Sequence, residues 1–76
     1  IQGLKIYPNP VSNSLIIKNQ YEPIQVRLID SLGKIYLSAS GTDILLNMNN
    51  LKEGLYHLEI RKGNKIYWRK IIKLGE

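Results

Sequence analysis

The sequence predicts an all-β fold: a seven-stranded, antiparallel β-sandwich of immunoglobulin-like topology. Three observations predict it. Seven short segments rich in Ile, Leu, Val and Tyr recur at about ten-residue spacing. Gly, Pro, Asn and Asp separate them, and no segment keeps a helical period over even two turns. A small Greek-key barrel of the oligonucleotide-binding type is the competing architecture. It usually carries a helix between strands, and this sequence has no place for one.

The first strand is Leu4–Tyr7, stopped by Pro8–Asn9–Pro10. The two prolines fix φ, remove two backbone donors and push Tyr7 and Asn9 toward extended geometry, so the segment reads as a corner at a sheet edge. Val11–Ser14 carries turn residues, and the second strand, 15–18, sets Leu15 and Ile17 inward. After a polar link at 19–23, the third strand alternates Ile24, Val26 and Leu28 with Gln25 and Arg27. Asp30–Ser31–Leu32–Gly33 is a hairpin turn, in which the Asp carboxylate accepts local amide hydrogens and Gly supplies a left-handed residue. The fourth strand is 34–38, with a small polar link at 39–42. In the fifth, 43–48, three consecutive apolar residues leave the facing open.

Asn49–Glu53 is expected to form one turn of 3₁₀ helix with Leu51 plugging the core. The turn ends on Gly54, where a positive φ or a close backbone approach is expected. The sixth strand follows with clean alternation: Tyr56, Leu58 and Ile60 on the buried face, His57, Glu59 and Arg61 on the other. It is taken as the centre of the sheet. Lys62–Gly63–Asn64–Lys65 is a tight hairpin. The seventh strand, 66–74, has apolar residues at both parities, and its Trp68 is expected in the core.

The chain has 76 residues and one domain's worth of core. It has no cysteine, so neither disulfides nor thiolate metal sites supplement that core. No apolar run approaches the roughly 20 residues of a membrane span, and direct membrane insertion is not expected. The chain starts at Ile1 without a signal-peptide pattern and is read as a piece excised from something larger. Its net charge is +5. Acids and bases cancel over residues 1–60, whereas 61–76 hold Arg61, Lys62, Lys65, Arg69, Lys70 and Lys73 against Glu76 alone. The basic character therefore belongs to the last hairpin.

Catalytic chemistry has little to stand on. A nucleophilic triad requires a base beside a hydroxyl or thiol, and His57, the single histidine, falls on an outward face. The acidic residues are scattered, with no EF-hand-like loop, and no glycine-rich phosphate loop is present. No enzyme, metal or cofactor is expected. The basic hairpin with Tyr67 and Trp68 invites a nucleic-acid reading, but lysine-rich edges also guard sheets against aggregation, and no nucleic-acid partner is expected.

Four islands occur in fixed order: Tyr7–Pro8–Asn9–Pro10, Asp30–Ser31–Leu32–Gly33–Lys34, Leu51–Lys52–Glu53–Gly54–Leu55–Tyr56 and Lys70–Ile71–Ile72–Lys73. From about Leu4 to Lys73 the chain resembles the type A C-terminal sorting domains of the type IX (Por) secretion system of Bacteroidetes. The resemblance implies a non-catalytic signal at the end of an exported cargo, which enters the periplasm and finishes at the cell surface or outside. It implies as partners the outer-membrane translocon, a shuttle protein and a sortase-like cysteine peptidase that cuts upstream, besides the cargo preceding it in the chain. The family's recognition residues map onto Gly54, Tyr56, Lys70 and Lys73, with Pro8, Asn9 and Pro10 as the early motif. The tail Leu74–Gly75–Glu76 departs from the family's habit of ending near its lysine. The runner-up reading is an accessory β-sandwich of a secreted hydrolase, packing on it or binding carbohydrate. Two further expectations concern the edge: docking by strand addition to the last strand, and weak self-association.

Overall fold

In a computed structural model, which describes residues 2–75, the chain forms seven strands. They are β1 (Leu4–Tyr7), β2 (Ser14–Asn19), β3 (Ile24–Ile29), β4 (Ile35–Gly41), β5 (Asp43–Asn47), β6 (Gly54–Lys62) and β7 (Lys65–Lys73). No helix occurs among the described residues. Every strand pairing is antiparallel. A three-stranded sheet has the order β1-β2-β5 and a four-stranded sheet the order β4-β3-β6-β7. This is the immunoglobulin-like sandwich the spacing predicts, with the fourth strand joined to the sheet of the third.

The alternation read from sequence sets the core. Leu15 and Ile17 from β2 meet Val26, Leu28, Leu58 and Ile60 from β3 and β6, all essentially inaccessible. In β5 the run of three apolar residues resolves as Ile44 and Leu46 inward and Leu45 outward, 62 % exposed. β6 lies between β3 and β7 and shares the middle of its sheet with β3.

Three expectations are corrected. β4 runs on through Ala39–Gly41, read from sequence as a link. Its pairing Ile24↔Gly41 gives the backbone of β3 partners along its whole length. Residues 49–53 form a turn closed by Leu51 N–H to Met48 O at 3.1 Å, without a 3₁₀ helix, and Leu51 packs half-buried against the core. Trp68 is 52 % exposed. The register pairs it with the outward Glu59, so Ile66, Trp68 and Ile72 all face out while Tyr67 and Ile71 face in.

The turns hold as their chemistry predicts. The Asp30 carboxylate accepts from the N–H groups of Leu32 and Lys34, both at 2.9 Å. Lys62 pairs with Lys65 across Gly63–Asn64, and φ is +62° at Gly63 but positive at no non-glycine residue among those described. A hairpin with glycine alone in that conformation, at the first central position, is of type II′.

Candidate functional site

The four sequence islands fold to one end of the sandwich. β1 ends there at Tyr7, β3 at Ile29 and β7 at Lys73, while β4 and β6 begin there. The opposite end carries the link 19–23, the Gly41–Thr42 corner and the β6–β7 hairpin tip, joined by the ion pair of Lys62 with Glu22 at 3.3 Å. The start of β1 lies at that opposite end, Leu4 pairing with Asn19. Motif residues distant in sequence therefore share one pole, and the chain enters at the other.

The early motif acts on the last strand. The Asn9 side chain donates from Nδ2 to Lys70 O at 2.8 Å and accepts at Oδ1 from Ile72 N–H at 3.0 Å. One amide side chain thus imitates a neighbouring strand. Val11 continues the pairing in a parallel bridge: its N–H donates to Ile72 O and its carbonyl accepts from Leu74 N–H, both at 2.8 Å. The flanking bonds Tyr7–Pro8 and Asn9–Pro10 are both cis. Leu74, in the tail beyond the lysine motif, is therefore part of this closure.

Gly54 has φ of +142°, and a Cβ built on it would meet nothing within 4 Å. The backbone conformation, not a close approach, is what calls for glycine there. Gly54 pairs with Lys73, which ties the late motif to the last strand. Two residues on, Tyr56 is buried; its hydroxyl donates to Lys52 O at 2.7 Å and its ring meets Tyr36 edge-on at 5.6 Å. Tyr36 in turn donates to Asp30 Oδ2 at 2.9 Å, and Lys34 Nζ lies 4.9 Å over its ring. Burial, with the nearby Asp30 charge, pushes the Tyr56 hydroxyl up; the bond to Asp30 raises Tyr36. The backbone N–H of Lys34, with lesser bonds from Tyr36 and Leu32, holds Asp30 below the usual carboxylate range. The aspartate turn and the Gly-x-Tyr island thus form one cluster.

The family model described as secretion system C-terminal sorting domain matches residues 5–74. The chain belongs to that family. No curated protein matches it significantly. The family is one of C-terminal sorting signals for type IX secretion, a system of Bacteroidetes that acts at the outer membrane; membership implies export of the attached protein and involvement with that system.

In this sorting domain the two lysines of the last island differ. Lys70 is exposed on the outer face of the larger sheet, beside His57 in the register. Lys73 is 5 % exposed, its stem packed inward and its Nζ donating to Leu74 O at 2.7 Å. Pro8, Asn9 and Pro10 are exposed at the corner. Sequence reasoning missed Val11, fully buried, and Tyr36; Val11 works through its backbone, which leaves no trace in residue type. It also missed Glu59, which faces out yet is only 4 % exposed. Arg27 grips it through Nε and Nη2 at 2.7 and 2.9 Å, and Arg61 Nε adds a bond at 3.1 Å.

Sorting domains of this family are generally non-catalytic. His57 pairs in the register with Lys70 on one side and Ile29 on the other. No group of three or more His, Cys, Asp or Glu residues is placed to hold a metal ion among the described residues.

Proposed function

We propose that this chain is the terminal export signal of a larger secreted protein and that the motif pole is the surface the type IX machinery reads. Pro8, Asn9 and Pro10 shape the corner that closes on β7, Gly54 and Tyr56 fix the start of β6, and Lys70 and Lys73 supply the cationic end. The observation that carries the reading is the gathering of four dispersed islands at one pole, in a chain of the sorting family. Cargo joined ahead of residue 2 leaves from the other pole and keeps clear of that surface. On this reading the outer-membrane translocon and a shuttle protein bind the domain, and a sortase-like cysteine peptidase cuts upstream of it. The cargo crosses the periplasm and ends on the cell surface or in the medium. The accessory-module reading gains no support, because a carbohydrate platform needs aromatics in a planar row. The exposed Tyr7, Tyr21 and Trp68 lie on β1, the link after β2, and β7.

The test is a secretion assay in a Bacteroidetes host, with a reporter that carries a signal peptide and ends in residues 1–76. Export of the intact fusion, with a folded Lys70→Ala/Lys73→Met double variant retained in the periplasm, is the expected outcome. Methionine at 73 keeps the packed stem and removes only the ammonium, so retention then reports on charge and not on a cavity. Retention of the folded intact fusion overturns the reading.

A further inference from the structure

We propose that the uncovered half of the β7 edge, Ile66–Lys70, is a strand-addition site for an acidic, extended segment of another protein. The backbone geometry defines the site. Lys70 O, both backbone groups of Ile72 and Leu74 N–H bond to Asn9 and Val11, so the even residues of β7 point their polar groups away from β6. Strand alternation turns the backbone groups of Ile66 and Trp68 the same way. The proline corner stops at Lys70 O, and β7 has no second neighbouring strand among the described residues. Among the described residues only Trp68 O finds a partner there: Arg69 Nη1 folds back on it at 3.0 Å.

The flank supplies the rest of a binding site. β1 is the edge of the other sheet, and between it and β7 runs a groove of about 210 Å³ lined by Leu4, Ile6, Asn9, Arg69, Lys70 and Ile71. Leu4 and Ile6, both half-buried, give it an apolar wall for every second side chain of an added strand, the pattern by which strand addition gains specificity. The charge selects the occupant. No carboxylate lines the groove, and Lys65, Arg69 and Lys70 make no ion pair among the described residues. A second copy paired edge to edge would set this basic strand against itself, whereas an acidic strand meets opposite charge at Lys65, Arg69 and Lys70. An incoming N–H takes Trp68 O, which releases the Arg69 guanidinium to a carboxylate of the newcomer.

This gives a chemistry to the partner of the export reading and rests on that reading only for its biological setting. The test uses the isotope-labelled 76-residue chain and a capped peptide alternating valine with glutamate. Controls are a valine–lysine peptide and the acidic peptide N-methylated at alternate amides. The expected result is protection of the Ile66, Trp68 and Lys70 amides by the acidic peptide alone. Arg69→Glu should weaken binding about tenfold and Ile66→Pro should abolish it in a chain that keeps its dispersed spectrum. Equal binding of the lysine peptide, protection mapped elsewhere, or no binding by the folded chain overturns the proposal. So does sedimentation of the free chain as a dimer with those amides already protected, which gives the edge to a second copy. Failed titration with export intact sinks the edge site alone; lost export with titration intact sinks the export reading alone.

Discussion

Glu59 shows how much one residue's surroundings decide. Its carboxylate faces the solvent side of the sheet, yet Arg27 and Arg61 close over it, and their hydrogen bonds outweigh burial to bring it from 4.5 down to about 2. A carboxyl whose folded value lies below its unfolded one contributes stability that is complete above about pH 4.5 and lost as pH falls toward about 2. Glu59→Gln should therefore cost about 1–3 kcal/mol at neutral pH, and the gap to the parent should close on acidification. Urea midpoints across that window decide it; a gap that stays constant would show that the charge is not what Arg27 and Arg61 hold. Asn9 is the second case. Asn9→Ala removes the bonds to Lys70 O and Ile72 N–H and should cost about 1–2 kcal/mol. Hydrogen exchange at the Ile72 amide should accelerate beyond what that global loss explains. Acceleration in step with the rest of the sheet would mean that Asn9 does not close the edge. From the sequence, Asn9 is legible as a corner residue between prolines but not as a strand surrogate, because its partners lie 61 and 63 positions away.

The strands were readable wherever one face is buried and the other wet. β3 and β6 follow strict alternation, and their inward residues are those the period selects. β7 was not readable. As an edge strand it is apolar on both parities, and only the register against β6 shows that Ile66, Trp68 and Ile72 face out. The Trp68 indole should therefore be quenched by acrylamide in the native protein nearly as strongly as in the unfolded chain. A shielded indole would contradict the register. Gly54 marks the matching limit at the start of β6. Glycine was expected there for a positive φ or a close approach, and the space around it shows that φ alone matters. Gly54→Ala should then cost about 1–3 kcal/mol through backbone strain, with no steric clash to relieve. Tyr56→Phe removes the hydroxyl's bond to Lys52 O and should cost about 1 kcal/mol. Equal effects of a larger residue and alanine at 54 would confirm that open space; a much larger penalty for the bulkier side chain would refute it.

Across the whole molecule, roughly 34 × 22 × 16 Å, the strand that carries the proposed signal also carries stability. The last hairpin carries the +5 that composition shows, and its strand also places Ile71 in the core with no exposed surface. A chain this small has few such residues, and losing one large aliphatic side chain costs about 2–5 kcal/mol, comparable to the total stability of a small domain. A chain stopped after Tyr67 loses Ile71, the packed stem of Lys73 and every bond that Asn9 and Val11 make to β7. It should be unfolded by circular dichroism and rapidly proteolysed, so its failure to be exported would report on folding and not on recognition. Lys70→Ala, at an exposed position on the outer face, should leave the melting temperature within about 2 °C of the parent. Export lost in that folded variant would place recognition on the lysine itself. Export kept would move it to the corner and to the backbone of β7. A truncated chain that keeps native circular dichroism would break the proposed link between signal and fold.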